Sequence, residues 1–296
     1  MALSRRHFIK TAGAFAGGIW LQGCGQPAEA GVHVHAHLWV YASRFPPDWN
    51  CTPILDEVFS EIKAAGYAGV EIMEPILLQE GSVDRLKKLS AQYELPVTGT
   101  SFYGNMWNRD EQELILQNME TVAERLQQVG GSMIGLSSGD AGRLKTEDEL
   151  DVQAGTLKKI MEICSRHKIQ PNLHNHTYEL MGDMHDLKGT MQRVPELGLG
   201  PDIQWLFRGE IDPVWFINTY GHKIVYLHIR DQAANGKFAE AVGDGVIDFP
   251  AIAAALQKIN YAGNAAVELA FEEPNVRPVA ENWEISRAYV KKVFGW

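Results

Sequence analysis

Short apolar runs alternate with amphipathic ones from about residue 31 to the end of the chain. VHVHAHLW (32–39) alternates with period two, the pattern of a strand with two different faces. AGVEIME (68–74), LPVTGTSF (95–102), SMIGLSS (132–138), IQPNLHNH (169–176), GPDIQW (200–205), KIVYLHIR (223–230) and NAAVELAF (264–271) are further runs of strand length. Between them the spacing turns helical. Across 110–129, Ile115, Met119, Val122, Leu126 and Val129 recur at intervals of three and four. Thr146 and Glu149 have the spacing of a capping box, ahead of a helix whose inner face reads Leu150, Ala154, Leu157, Met161 and Cys164. Asp212-Pro213, and Asp248 with Pro250, mark two more helix starts. Other helices are expected from near Pro53, over 82–93, over 184–194 and up to about Val293. Strand and helix in eightfold alternation predict an α/β fold, a (β/α)₈ TIM barrel, as one domain over 31–296. No GxGxxG follows any of the strands, which disfavours a doubly wound open sheet.

The first thirty residues do not belong to this pattern. Ser4-Arg5-Arg6-His7-Phe8-Ile9-Lys10 has the form of a twin-arginine export signal. The Gly/Ala-rich run that follows, Thr11 to Leu21, is too short for a spanning helix. Leu21-Gln22-Gly23-Cys24 resembles a lipoprotein cleavage box and makes Cys24 a candidate for lipidation; cleavage within 27–30 is the alternative. The expectation is a periplasmic protein whose one membrane attachment is a lipid at Cys24. Three basic side chains and no acid precede Cys24, so losing that segment takes the formal charge from −10 to near −13. Such a chain repels polyanions, and nucleic acid is excluded as a partner. Cys51 and Cys164 lie far apart and are expected to be buried free thiols.

In a barrel of this type, chemistry gathers at the C-terminal ends of the strands. That rule selects His174 and His176 at the end of the fifth strand, Asp202 in the sixth, His228 near the end of the seventh and Glu268 in the eighth. A carboxylate inside an apolar barrel needs a cation or a hydrogen-bonding partner. Four such groups on consecutive strands can converge on one ion. Mixed oxygen and imidazole ligation suits Mn²⁺, Zn²⁺, Fe²⁺ or Co²⁺.

The segments LHNHTYE, DIQWLFRGEIDP, VYLHIRD and GDGVIDFPAI followed by GNAAVEL, in that order and spacing, resemble the xylose-isomerase-like barrel superfamily, often labelled sugar phosphate isomerase/epimerase. The resemblance spans roughly residues 31 to 296. It implies one divalent ion, Mn²⁺ first and Zn²⁺, Co²⁺, Fe²⁺ or Mg²⁺ as alternatives, held by His174, Asp202, His228 and Glu268. It implies an isomerase or epimerase that removes a proton α to a carbonyl, with the ion stabilising the enediolate and Glu268 as base. Many members carry Glu where His174 stands, and the epimerases use that Glu for the second proton transfer. Here His176 or Glu179 is expected to take that role. Arg230 and Asp231 are expected to orient His228.

Other residues are read as contacts to a small carbohydrate: Glu74 on the second strand, Tyr103, Asn105 and Trp107 after the third, and Trp205 beside Asp202. Glu71 shares the second strand with Glu74, and a salt-bridged rim is the alternative for both. His33, His35 and His37 share one face of the first strand, at the mouth or at the opposite pole. Phosphorylated sugars are cytosolic, so an exported member points to a non-phosphorylated sugar, keto-sugar or glycoside. The same chemistry allows a lyase or dehydratase acting on 3-keto-glycosides. A non-catalytic sugar-binding lipoprotein is the reading from a different class.

Overall fold

A computed structural model describes residues 31–296. The export signal and Cys24 lie outside the described residues. Eight parallel strands run through the described chain: β1 Val34–His37, β2 Val70–Met73, β3 Val97–Tyr103, β4 Met133–Ser137, β5 Gln170–His174, β6 Gly198–Gly200, β7 Tyr226–Ile229 and β8 Asn264–Glu268. They pair in the order β6-β5-β4-β3-β2-β1-β8-β7. Two parallel bridges, Leu199 with Ile224 and Asp202 with His228, join the outer members and close the barrel. Helices on the outside bury one face of the strands and barrel side chains bury the other, so β1, β2, β4 and β7 are buried along their whole length.

The period-two alternation of β1 now has a physical meaning. Val34 and Ala36 belong to the apolar layer between strands and helices. His35 and His37 project the other way: His35 Nδ1 lies 3.3 Å from the Tyr226 hydroxyl and His37 approaches Glu268. Helix starts follow their local chemistry. Thr146 and Glu149 form the expected reciprocal cap on the helix Glu147–Arg166. Asp212 and Asp248 accept from the Val214 and Ala251 amides and cap Pro213–Tyr220 and Phe249–Lys258. Cys51 and Cys164 are buried and unbridged.

Two elements depart from expectation. The sixth strand was expected over 200–205, but it ends at Gly200. Pro201 offers no amide to the ladder, and Asp202 turns its Oδ1 onto the amides of Gln204 and Trp205, at 2.8 and 3.1 Å, starting the helix Ile203–Arg208. Asp202 therefore sits on the rim just past the strand. A side chain at Gly200 would meet Asn172 Oδ1 at 1.8 Å, which explains glycine in this strand. The helix expected over 184–194 instead begins at Thr177 and reaches Arg193, broken by non-helical backbone at Met181 to Met184. Glu179 accepts the His176 amide at 2.7 Å and caps its first turn. No helix of the described residues is long and apolar enough to cross a membrane.

Candidate functional site

The strand ends bring His174, Asp202 and His228 together. Each offers a ligand atom, and these atoms lie within 4.8 Å of one another; all three residues are buried. Glu268, the last residue of β8, joins through its neighbours. Its Oε2 lies 2.9 Å from His228 Nδ1 and 3.6 Å from His37 Nδ1. Its Oε1 accepts from Arg230 at 2.6 Å. The same Arg230 nitrogen donates to Asp202 Oδ2 at 2.7 Å, so one guanidinium cross-links the two carboxylates.

The other ring nitrogen of His228, Nε2, lies 2.9 Å from Glu71. Glu71 therefore does what was expected of Arg230 and Asp231: it fixes the His228 ring. Asp231 points elsewhere. Its carboxylate accepts from the amides of Gln232, Gly243, Gly245 and Ile247, and so ties the loop after β7 to the strand end. Gly243 has a φ of 100°, and a Cβ at Gly245 would lie 2.2 Å from Asp231. The Gly-Asp-Gly turn is thus shaped around Asp231.

Two observations test whether these residues suit a divalent ion. The Nδ1 atoms of His174 and His228 are buried with no hydrogen-bond partner. Glu268 Oε2 lies 2.9 Å from the His228 nitrogen and pairs with it when the ring is charged. The second observation is charge. Three carboxylates stand around the site with one Arg230, which pairs with Asp202 and Glu268, while Glu71 pairs with His228; with the histidines neutral, two negative charges are left for a dication to balance. The residues fit. His174, Asp202 and His228 would hold the ion, with Glu268 beside His228, and Glu71 would support His228 from behind.

Electrostatics agree with these roles. Burial, then the neighbouring His228 and His176, push His174 well below its ordinary value, so it is the neutral imidazole that a metal requires. Burial opposes charge on His228 too, but Glu71 and Glu268 outweigh it and raise its pKa to about 10. Binding of a dication by His228 would release a proton. Burial alone would raise Glu268; Arg230, His37 and His228 overcome it and hold the carboxylate well below its usual range.

Of these groups, His37, His174, His228, Arg230 and Glu268 line a cavity of about 530 Å³. Its lining includes His176, Glu74, Tyr103 and Trp205 of the expected contacts, and Arg230. His176 packs edge-on to His174, with ring centroids 4.8 Å apart, and lies flat against Tyr178. Five expected site residues are not among the lining: Asp202 and Asp231, in the contacts given above, and Glu179, Asn105 and Trp107. Glu179 is fully buried beneath His176 as a helix cap, with Ser138 3.4 Å from its other oxygen. Asn105 donates to Glu111 and accepts from the Tyr103 hydroxyl at 3.1 Å. Trp107 stands in the same loop outside the lining. Conversely, Trp39, Trp49, Tyr178 and Phe238 line the cavity without having been singled out. The period-two pattern of β1 did contain the signal for His37, but not which end of the barrel it faced.

The model of the xylose isomerase-like TIM barrel matches residues 59–293. The chain belongs to this family. Among solved structures of the same fold, 3-keto-D-glucoside 4-epimerase from E. coli is 19% identical, with a TM-score of 0.71, over 88% of this chain and 100% of that one. L-Ribulose 3-epimerase is 18% identical with a TM-score of 0.72, covering 89% and 95%. A sugar phosphate isomerase/epimerase from Parabacteroides distasonis is 18% identical with a TM-score of 0.70, covering 90% and 95%. Comparison with curated proteins gives no sequence match. For this family member, the strand-end groups described above fall at the barrel face where the fold carries its chemistry.

Proposed function

We propose that the protein is a divalent-metal-dependent isomerase or epimerase of a non-phosphorylated sugar, keto-sugar or glycoside. The observation that carries this reading is the meeting of His174, Asp202 and His228, with Glu268 against His228, at the closed end of a cavity walled by aromatic rings. A bound divalent ion would supply Lewis acidity toward the substrate's carbonyl. Glu268 is ionised and faces the same space, so it removes the proton α to that carbonyl. His176 lines the cavity beside His174 and returns a proton from its own side. Glu179, buried in its cap, is withdrawn from that role in favour of Glu74, which lines the cavity and whose pKa burial raises to about 7.

Substrate charge is supported by the lining. Arg230 is its one Lys or Arg among the described residues, and it is already shared by two carboxylates. A phosphate would find no free cation there. The names of the L-ribulose and 3-keto-D-glucoside epimerases agree with a sugar as substrate. Mn²⁺ remains the ion we propose, and export by the twin-arginine route the localisation.

The deciding experiment is turnover of a panel of keto-sugars by Mn²⁺-loaded protein in D₂O, followed by NMR. Deuterium at the epimerised or isomerised carbon is the expected result. Loss of a substituent β to the labelled carbon would instead identify a lyase. A panel left unchanged, with neither exchange nor elimination, would refute the proposal.

A further inference from the structure

The metal-facing groups account for one end of the cavity. Exposure rises away from them: His228 and Glu268 are buried, while Trp49 is 38% exposed and Tyr103 53%. Trp39 opens the helical turn after β1, Trp49 follows on the next loop, and their ring centroids lie 5.4 Å apart with planes tilted by 41°. Trp49 adopts a φ of 48°, a conformation costly for a bulky residue, and its amide donates to Phe45 O at 2.8 Å. Tyr103 is tethered as well, through its hydroxyl to Asn105, which Glu111 holds in turn. Core packing does not explain half-exposed rings fixed in this way. The volume, about 530 Å³, falls within the roughly 300–1,000 Å³ that accepts drug-sized ligands. It exceeds what a single sugar ring fills, and besides the metal-facing groups its lining includes Trp39, Trp49, Met73, Pro75, Phe102 and Tyr103.

We infer that Trp39, Trp49 and Tyr103 form a second subsite, for a ring attached to the sugar that sits at the His174–Asp202–His228 end. The shared chemistry is a flat apolar face, presented by an aryl aglycone or by the C–H side of a second pyranose. Rings of this kind stack on tryptophan and tyrosine, which offer large flat apolar faces. The substrate is then a glycoside and not a free monosaccharide. This inference rests on the sugar-site reading above.

The test is calorimetric titration of the full chain with methyl β-glucoside, phenyl β-glucoside and cellobiose, without added metal and then with Mn²⁺. Phenyl glucoside, cellobiose or both should bind about tenfold more tightly than methyl glucoside, and which of them does so identifies the outer ring. Trp49→Ala and, separately, Tyr103→Ala should each shrink that ratio at least threefold. Trp215→Ala removes an exposed tryptophan outside the cavity and should leave the ratio unchanged. Three ligands of equal affinity, or of none, would overturn the subsite even if keto-sugars exchange deuterium. A ratio that survives both cavity variants would also overturn it. A ratio that depends on Trp49 in a protein inert toward every keto-sugar would keep the subsite and remove the epimerase reading.

Discussion

Glu71 and His228 stand 157 positions apart in the chain and meet across the barrel, carboxylate to Nε2, at 2.9 Å. The pair leaves Nδ1 of the same ring facing the space shared with His174, Asp202 and Glu268. A carboxylate behind a metal-binding histidine fixes the tautomer and raises the basicity of the other nitrogen. Glu71 therefore fixes the His228 ring in place, and since it also helps raise that ring's pKa to about 10, an ion must displace a proton to bind there.

Glu71→Gln keeps the shape and an acceptor but removes the charge. It should weaken Mn²⁺ binding about 10–100-fold. Titration calorimetry on chelator-treated protein measures this directly, and unchanged affinity would mean that Glu71 is only a filler in the barrel.

Glu268→Gln removes the proposed base and retains one oxygen toward the ion. Turnover should fall roughly 10²–10⁴-fold, while glycoside binding persists. Near-normal turnover by the metal-loaded variant would transfer the base assignment to another residue.

Glu74 gives a pH signature. Burial lifts its pKa from 4.5 to about 7, against the lowering effect of hydrogen bonds from backbone amides. Between those values the folded protein keeps a proton that the unfolded chain has shed. This group's contribution is therefore full below about pH 4.5, declines as pH rises, and is lost above about 7. Glu74→Gln should gain stability relative to the parent between pH 4.5 and 7.5. Urea midpoints at several pH values read that difference, and a difference constant with pH would contradict the shift.

Lys145 and Asp186 form a buried ion pair of 2.5 Å behind the cavity wall, with Gln153 bonded to both and Ser138 to the lysine. Lys145→Met should cost about 3–5 kcal/mol, because it strands the Asp186 charge. The double variant Lys145→Met/Asp186→Leu should recover part of that loss. Denaturant unfolding of the three proteins decides it; a double variant no more stable than the single one would show that the pair matters beyond its charges.

Export is tested by cell fractionation. Arg5→Lys with Arg6→Lys should hold the precursor in the cytoplasm, and normal export of that variant would remove the localisation.

Local chemistry made much of the fold legible. The alternation in 32–39, the Thr146–Glu149 cap and the Asp212-Pro213 start all depend on residues within one turn of each other, and a sequence displays such relations openly. Where two local signals compete, reading failed. GPDIQW is apolar enough for a strand, yet Pro201 and the capping oxygen of Asp202 end β6 three residues after it begins. Glu179 follows the same logic, since three-residue spacing from His176 serves a helix cap as well as an active site. The relation of Glu71 to His228 is set by register across the barrel. No spacing along the chain encodes it.

Asp202 and His174 would fare differently if the chemistry were ever abandoned. Asp202 closes the barrel next to His228 and caps a helix, so a descendant without activity would still be held to Asp, or to an Asn that keeps the cap. His174 Nδ1 has no partner in the fold. Packing against His176 and His228 would still limit its size, but no hydrogen bond from that nitrogen would oppose its drift once no ion had to be held. Among relatives of this chain, a nitrogen or oxygen ligand retained at position 174 is thus the more telling mark of a working enzyme, and an intact Asp202 the less informative one.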